Sequence, residues 1–134
     1  MDSNVRPETM QRITTIELAN AFIDEQVKEI QNRLEVLKDC LDIVNRRNEV
    51  NELTTLTLDS NFWSNPKEAE VILKKKSKVE FWVTKYDNLA SSVDDLLVFF
   101  ELEAPEIDQV YNSVISDLES LELYNMLQSF YKLP

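Results

Sequence analysis

Along the first third of the chain, apolar side chains recur in steps of three and four: Ile13, Ile16, Ile23, Val27, Ile30, Leu34, Leu37, Leu41 and Val44, with Asn20 at the interrupted position. A helix presents such a seam, kept over successive heptads, as one continuous stripe to a neighbour. If it runs to Leu53, the predicted rod is about 60 Å long at 1.5 Å per residue. The stripe fades at Asn48 and Asn51, and "ELTTLTLDSN" then offers β-branched and turn-forming residues that favour leaving the helix. Ahead of the seam, residues 1–12 show no period and contain Pro7. They read as a flexible lead to a single domain over 13–134.

A second helix is announced by Asn65 as N-cap, Pro66 at the first helical position and Glu68 where a capping box places its carboxylate. Ile72, Val79, Val83, Tyr86, Ala90, Val93, Leu97 and Phe100 again step by three and four, with Lys76 as a break. Trp82, Leu89 and Leu96 widen that stripe into a face suited to two neighbours. Pro105 then disfavours helix at the residue before it and suits the first turn of a third helix, where Glu106 and Asp108 meet the positive end of the dipole. That helix carries Ile107, Tyr111, Val114, Leu118 and Leu121, with Leu123, Leu127 and Phe130 further on. No strand alternation occurs outside the ambiguous "LTTLTL". The pattern predicts an all-α fold, an antiparallel bundle of three long helices with coiled-coil-like packing. Phe62 and Trp63 are then expected to close the end where the first helix hands over to the second. In the other reading, Trp63 stays exposed as a docking anchor.

Composition narrows the function more than the fold. At 134 residues with 43% hydrophobic and 29% charged, the chain has the length and balance of one globular domain. No apolar run approaches the roughly 20 residues of a membrane span, and the start lacks the basic and apolar regions of a secretory signal. With Cys40 as the single cysteine, the expected setting is a reducing cytoplasm. There is no His and no Gly. The first absence removes the neutral-pH proton shuttle and the imidazole metal ligand, and the second removes the P-loop, the dinucleotide fingerprint and glycine-lined oxyanion turns. Long helices joined by Asn-, Ser- and Pro-containing connectors follow from the same lack of Gly. Asp94 and Asp95 point about 100° apart on a helix and do not converge on one site. Ser91 and Ser92 have no His to activate them. The expectation is no enzyme, no cofactor, no metal and no small-molecule substrate.

The formal net charge of −11 opposes nonspecific attraction to a phosphate backbone. Its distribution is uneven. Residues 86–131 hold ten acids and no Lys or Arg, whereas residues 67–85 hold six lysines against three glutamates. Within "LKKKSK", Lys74, Lys75, Lys76 and Lys78 span more than one turn and cannot form a single stripe. They read either as a solvated face or as a patch for ribosomal RNA or an acidic protein. Nothing in the chain reads nucleic-acid sequence.

The succession of "RLEVLKDCLDI" (33–43), "NFWSNPKEAEVILKKKSKVEFWVTKYDNL" (61–89) and "LESLELYNML" (118–127) resembles the N-terminal helical domain of bacterial peptide chain release factors, most closely the release factor 2 branch. Phe62, Trp63, Asn65, Pro66, Ala69, Leu121, Glu122, Leu123, Met126 and Leu127 match its pattern, which covers residues 25 to 130. The resemblance implies a non-catalytic interaction module of translation termination, of the kind that reaches the stalk base of the large ribosomal subunit or a translation factor. Members of that family read the stop codon with a tripeptide loop and release the peptide with a Gly-Gly-Gln motif, each in another domain, and neither is in this sequence. The chain departs from the pattern at Tyr124 and Asn125, where basic residues often stand, and residues 1–22 have no counterpart. The alternative is a stand-alone dimerisation or regulatory protein-binding protein that uses the seam over 13–44.

Overall fold

The computed structural model describes residues 7–131, with side-chain surroundings described from Glu17 to Phe130. Four α-helices and one short 3₁₀ turn are found among the described residues, and no strand: α1 (Pro7–Cys40), α2 (Ile43–Thr57), the turn Phe62–Ser64, α3 (Pro66–Leu102) and α4 (Ile107–Tyr131). The all-α reading holds, but the count of three long helices is corrected. The first rod is divided at Asp42, which takes a left-handed conformation at φ 54° and ψ 45°. A non-glycine residue there carries a cost of about 1–2 kcal/mol, which Asp tolerates better than most.

Local bonds hold this break. The Asp42 carboxylate accepts from the Asn45 amide at 2.9 and 3.1 Å, and Arg46 Nε donates to the Leu41 carbonyl at 2.7 Å. The break also shifts the phase of the stripe. Leu37 and Leu41 are buried as the seam requires, but past Asp42 the buried side chain is Ile43, while Val44 is exposed. One left-handed residue rotates everything after it, which a heptad count cannot register.

Two compact units are described separately, Met1–Arg33 and Leu34–Pro134. In the first, α1 starts at Pro7 rather than at Ile13, and residues 1–6 of the expected lead lie outside the described residues, as do the side chains of Ile13 and Ile16. In the second, α3 lies between α2 and α4. Lys75 meets Glu49 and Arg47 meets Asp87, so α2 runs against the direction of α3. Trp82 meets Tyr124, and a groove brings Phe99 to Val110, so α4 does the same on the other side. This explains why the apolar face of α3 is wide: Trp82, Val83, Tyr86, Leu89, Val93 and Leu96 are all buried.

The "LTTLTL" stretch remains helical to Thr57. Its hydroxyls bond back along the helix, Thr54 to the Val50 carbonyl at 2.7 Å and Thr55 to the Asn51 carbonyl at 2.9 Å. Such back-bonding satisfies the polar groups of residues whose branching otherwise disfavours helix. At the far end α3 stops on Glu103, again left-handed at φ 50°, with the Ala104 N–H donating to the Phe99 carbonyl at 3.1 Å. This is the bonding of a glycine-type C-cap carried out by a glutamate, in a chain that has no Gly to place there.

Candidate interaction surface

The connector between α2 and α3 treats its two rings differently. Phe62 is 9% exposed and Trp63 is 65% exposed, although their rings meet edge to face at 4.8 Å. The expectation that both close the end of the bundle is therefore corrected. Consecutive residues of a 3₁₀ turn point about 120° apart, so only one of the pair can face inward. Beside them the N-cap and the Pro at N1 are seen as expected, with the Glu68 N–H donating to Asn65 Oδ1 at 3.3 Å and Pro66 opening the helix, whereas the Glu68 carboxylate meets the Asn65 side-chain amide at 3.4 Å rather than the backbone N–H of a capping box.

The lysine block sits in the first third of α3 and points in three directions. Lys74 pairs with Glu70 at 2.9 Å along the helix, and Lys75 reaches Glu49 on α2 at 3.5 Å. Lys76 and Lys78 have no ion pair among the described residues. One turn apart, Lys74 and Lys78 flank a shallow groove floored by Phe81 and Trp82. Phe81 is exposed and meets the Trp82 ring edge to face at 5.2 Å, with the Lys85 ammonium 5.7 Å above its own ring. Phe81 was not singled out in the sequence, although its spacing from Ser77 and Lys78 puts all three on one face.

Behind this face the structure is tied down by charge. Arg47 forms a two-pronged pair with Asp87 at 2.7 and 3.0 Å, and the neighbouring Arg46 lies 5.6 Å over the Trp82 ring. The Arg47 hydrogen bond holds the Asp87 carboxyl below its ordinary range, and Asp87 raises Arg47 in return. Burial pushes the Tyr86 phenol up, assisted by the negative field of Glu35 and Asp87. Both members of the Arg47 pair are about half exposed, so it contributes on the order of 0.2–1 kcal/mol. No group of three or more metal-binding side chains occurs among the described residues, and no described helix is long and apolar enough to cross a membrane. Cys40 is a free, exposed thiol.

No protein-family model matches the chain. The peptide chain release factor 2 of Rickettsia typhi is 34% identical to it over 84 residues, which is 63% of this chain and 22% of that protein. The chain is similar to one segment of peptide chain release factor 2. The same relation holds with the release factor 2 of Pseudoalteromonas translucida, 31% identical over 97 residues, 72% of this chain and 27% of that protein. With that of Neisseria meningitidis it is 26% over 101 residues, 75% of this chain and 28% of the protein. The chain thus spans about a quarter of the length of the release factor 2 proteins it matches.

Proposed function

We propose that this chain acts in translation termination as a helical interaction module that docks on the large ribosomal subunit or on a translation factor, without catalysis of its own. The observation that carries this reading is its similarity to one quarter-length segment of release factor 2 proteins from several bacteria. The missing Gly supports the non-catalytic part, because a Gly-Gly-Gln motif cannot be present in this sequence. The docking face is the first third of α3, where Lys74 and Lys78 flank the groove over exposed Phe81 and Lys78 has no ion pair among the described residues. The test is co-sedimentation with purified large subunits at low salt. Pelleting that weakens with added salt and with the double change Lys74→Glu and Lys78→Glu is the expected result. A chain that stays in the supernatant at low salt contradicts docking on the large subunit.

A second reading is self-association through α1. What favours it is that the seam residues Ile23 and Val27 are only half-buried in the first unit, in line with Asn20, the kind of residue that fixes coiled-coil register. Sedimentation equilibrium decides it, since a monomer at every concentration removes the idea.

A further inference from the structure

The surface between the C-terminal half of α3 and the start of α4 differs in character from the lysine face. A groove there has Phe99, Val110 and Val114 along its floor and Asp95 on its rim. It shares Ser92 with a second groove that continues between α3 and α4 to Asp117 and Tyr124. By helical spacing, Val98 and Leu102 stand on the same side of α3 as Asp95, and they are 52% and 70% exposed. An apolar strip is therefore open to water along the edge of an apolar-floored channel.

The charge around it has one sign. Asp94, Asp95, Glu101, Glu103, Glu106 and Asp108 frame this end of the two helices, and none of the six has an ion pair among the described residues. No Lys or Arg occurs anywhere in residues 86–131 to neutralise them. Solubility alone does not require placing every α3 cation at or before Lys85. Acids massed around exposed valine and leucine have the complement of a cationic surface with an apolar stripe.

We propose that this acidic, apolar-floored groove docks a basic amphipathic helix of a partner protein, with partner Leu- or Val-type side chains on Phe99, Val98 and Leu102 and partner Lys or Arg side chains against Asp95 and the surrounding carboxylates. Net charge of −11 steers such a partner in from a distance and disfavours an acidic one. The site lies apart from the lysine face, so either surface fails without the other.

The probe is a synthetic leucine–lysine amphipathic helix of about five turns, titrated into isotope-labelled protein at low salt and followed by amide chemical shifts. Shifts concentrated at 95–102 and 109–114 are expected. Affinity should fall about tenfold with Asp95→Lys, and by a similar factor with the pair Val98→Ser and Leu102→Ser. All three positions are exposed, and unchanged thermal melts confirm that the variants fold. The proposal is overturned if the shifts spread evenly or fall on 74–81, if a leucine–glutamate helix binds as well, or if the leucine–lysine helix does not bind.

Discussion

The two parts of α3 carry the same apolar rhythm and meet different surroundings. From Trp82 to Leu96, six large side chains are buried, because α2 on one side and α4 on the other cover the helix. From Pro66 to Phe81 the only buried residue is Ala69, while Val71, Leu73 and Phe81 are exposed. The lesson is that amphipathicity states what a helix is able to bury, and neighbouring elements determine what it does bury. The thinly covered third also holds the lysines, the cap and the groove over Phe81. On this account the docking surface is the outer side of a stretch of long helix that its internal partners cover thinly.

The largest expected effect separates the two parts by stability. Leu96→Ala removes a fully buried side chain and should cost about 2–5 kcal/mol in urea unfolding, whereas Val71→Ala should cost under about 0.5 kcal/mol. Equal losses would erase the contrast. Next come the two ends of the helix. Asn65→Ala removes the cap of the sparse part and should destabilise by about 1 kcal/mol. Glu103→Gly relieves a left-handed non-glycine residue and should raise stability by about 1 kcal/mol.

A smaller effect depends on pH. Arg47 depresses the folded-state value of Asp87, so the pair's contribution is present above the unfolded carboxylate value of about 3.9 and is lost as pH falls through the lower folded value. Asp87→Asn should lower stability at neutral pH by at most about 1 kcal/mol and leave a flatter acid limb in pH-dependent melts. A variant with an unchanged acid limb would mean that the pair is not held in solution. Smallest of all, Trp63→Ala should leave the melting temperature nearly unchanged, since most of that side chain is already in water. A large drop would return Trp63 to the end-closing role.

Much of this architecture was legible in the residues. Asn65, Pro66 and Glu68 marked the start of α3 because capping is local chemistry, fixed by groups three positions apart. The widening of its stripe by Trp82, Leu89 and Leu96 correctly called for two neighbours, because periodicity reports how much of a helix is apolar. The break at Asp42 was not legible, since an aspartate inside a sustained heptad gives no warning of a left-handed turn. The threonine run misled in the opposite direction, because hydroxyl back-bonding keeps it helical. For the site, the lysines were visible and their division among Glu70, Glu49, the half-buried inner side of α3 and open solvent was not, as it depends on where α2 lies. Phe81 was passed over because one exposed aromatic in a helix looks like any other apolar position until its neighbours are placed.

The account rests on the thinly packed part of α3 being the surface that meets the ribosome or a translation factor. Amide hydrogen exchange of the chain, free and bound to large ribosomal subunits at low salt, tests this directly. Added protection over 66–81, with the stretch 82–96 already slow to exchange in the free chain, is the predicted result. Protection that leaves 66–81 unchanged while the chain is bound would contradict it.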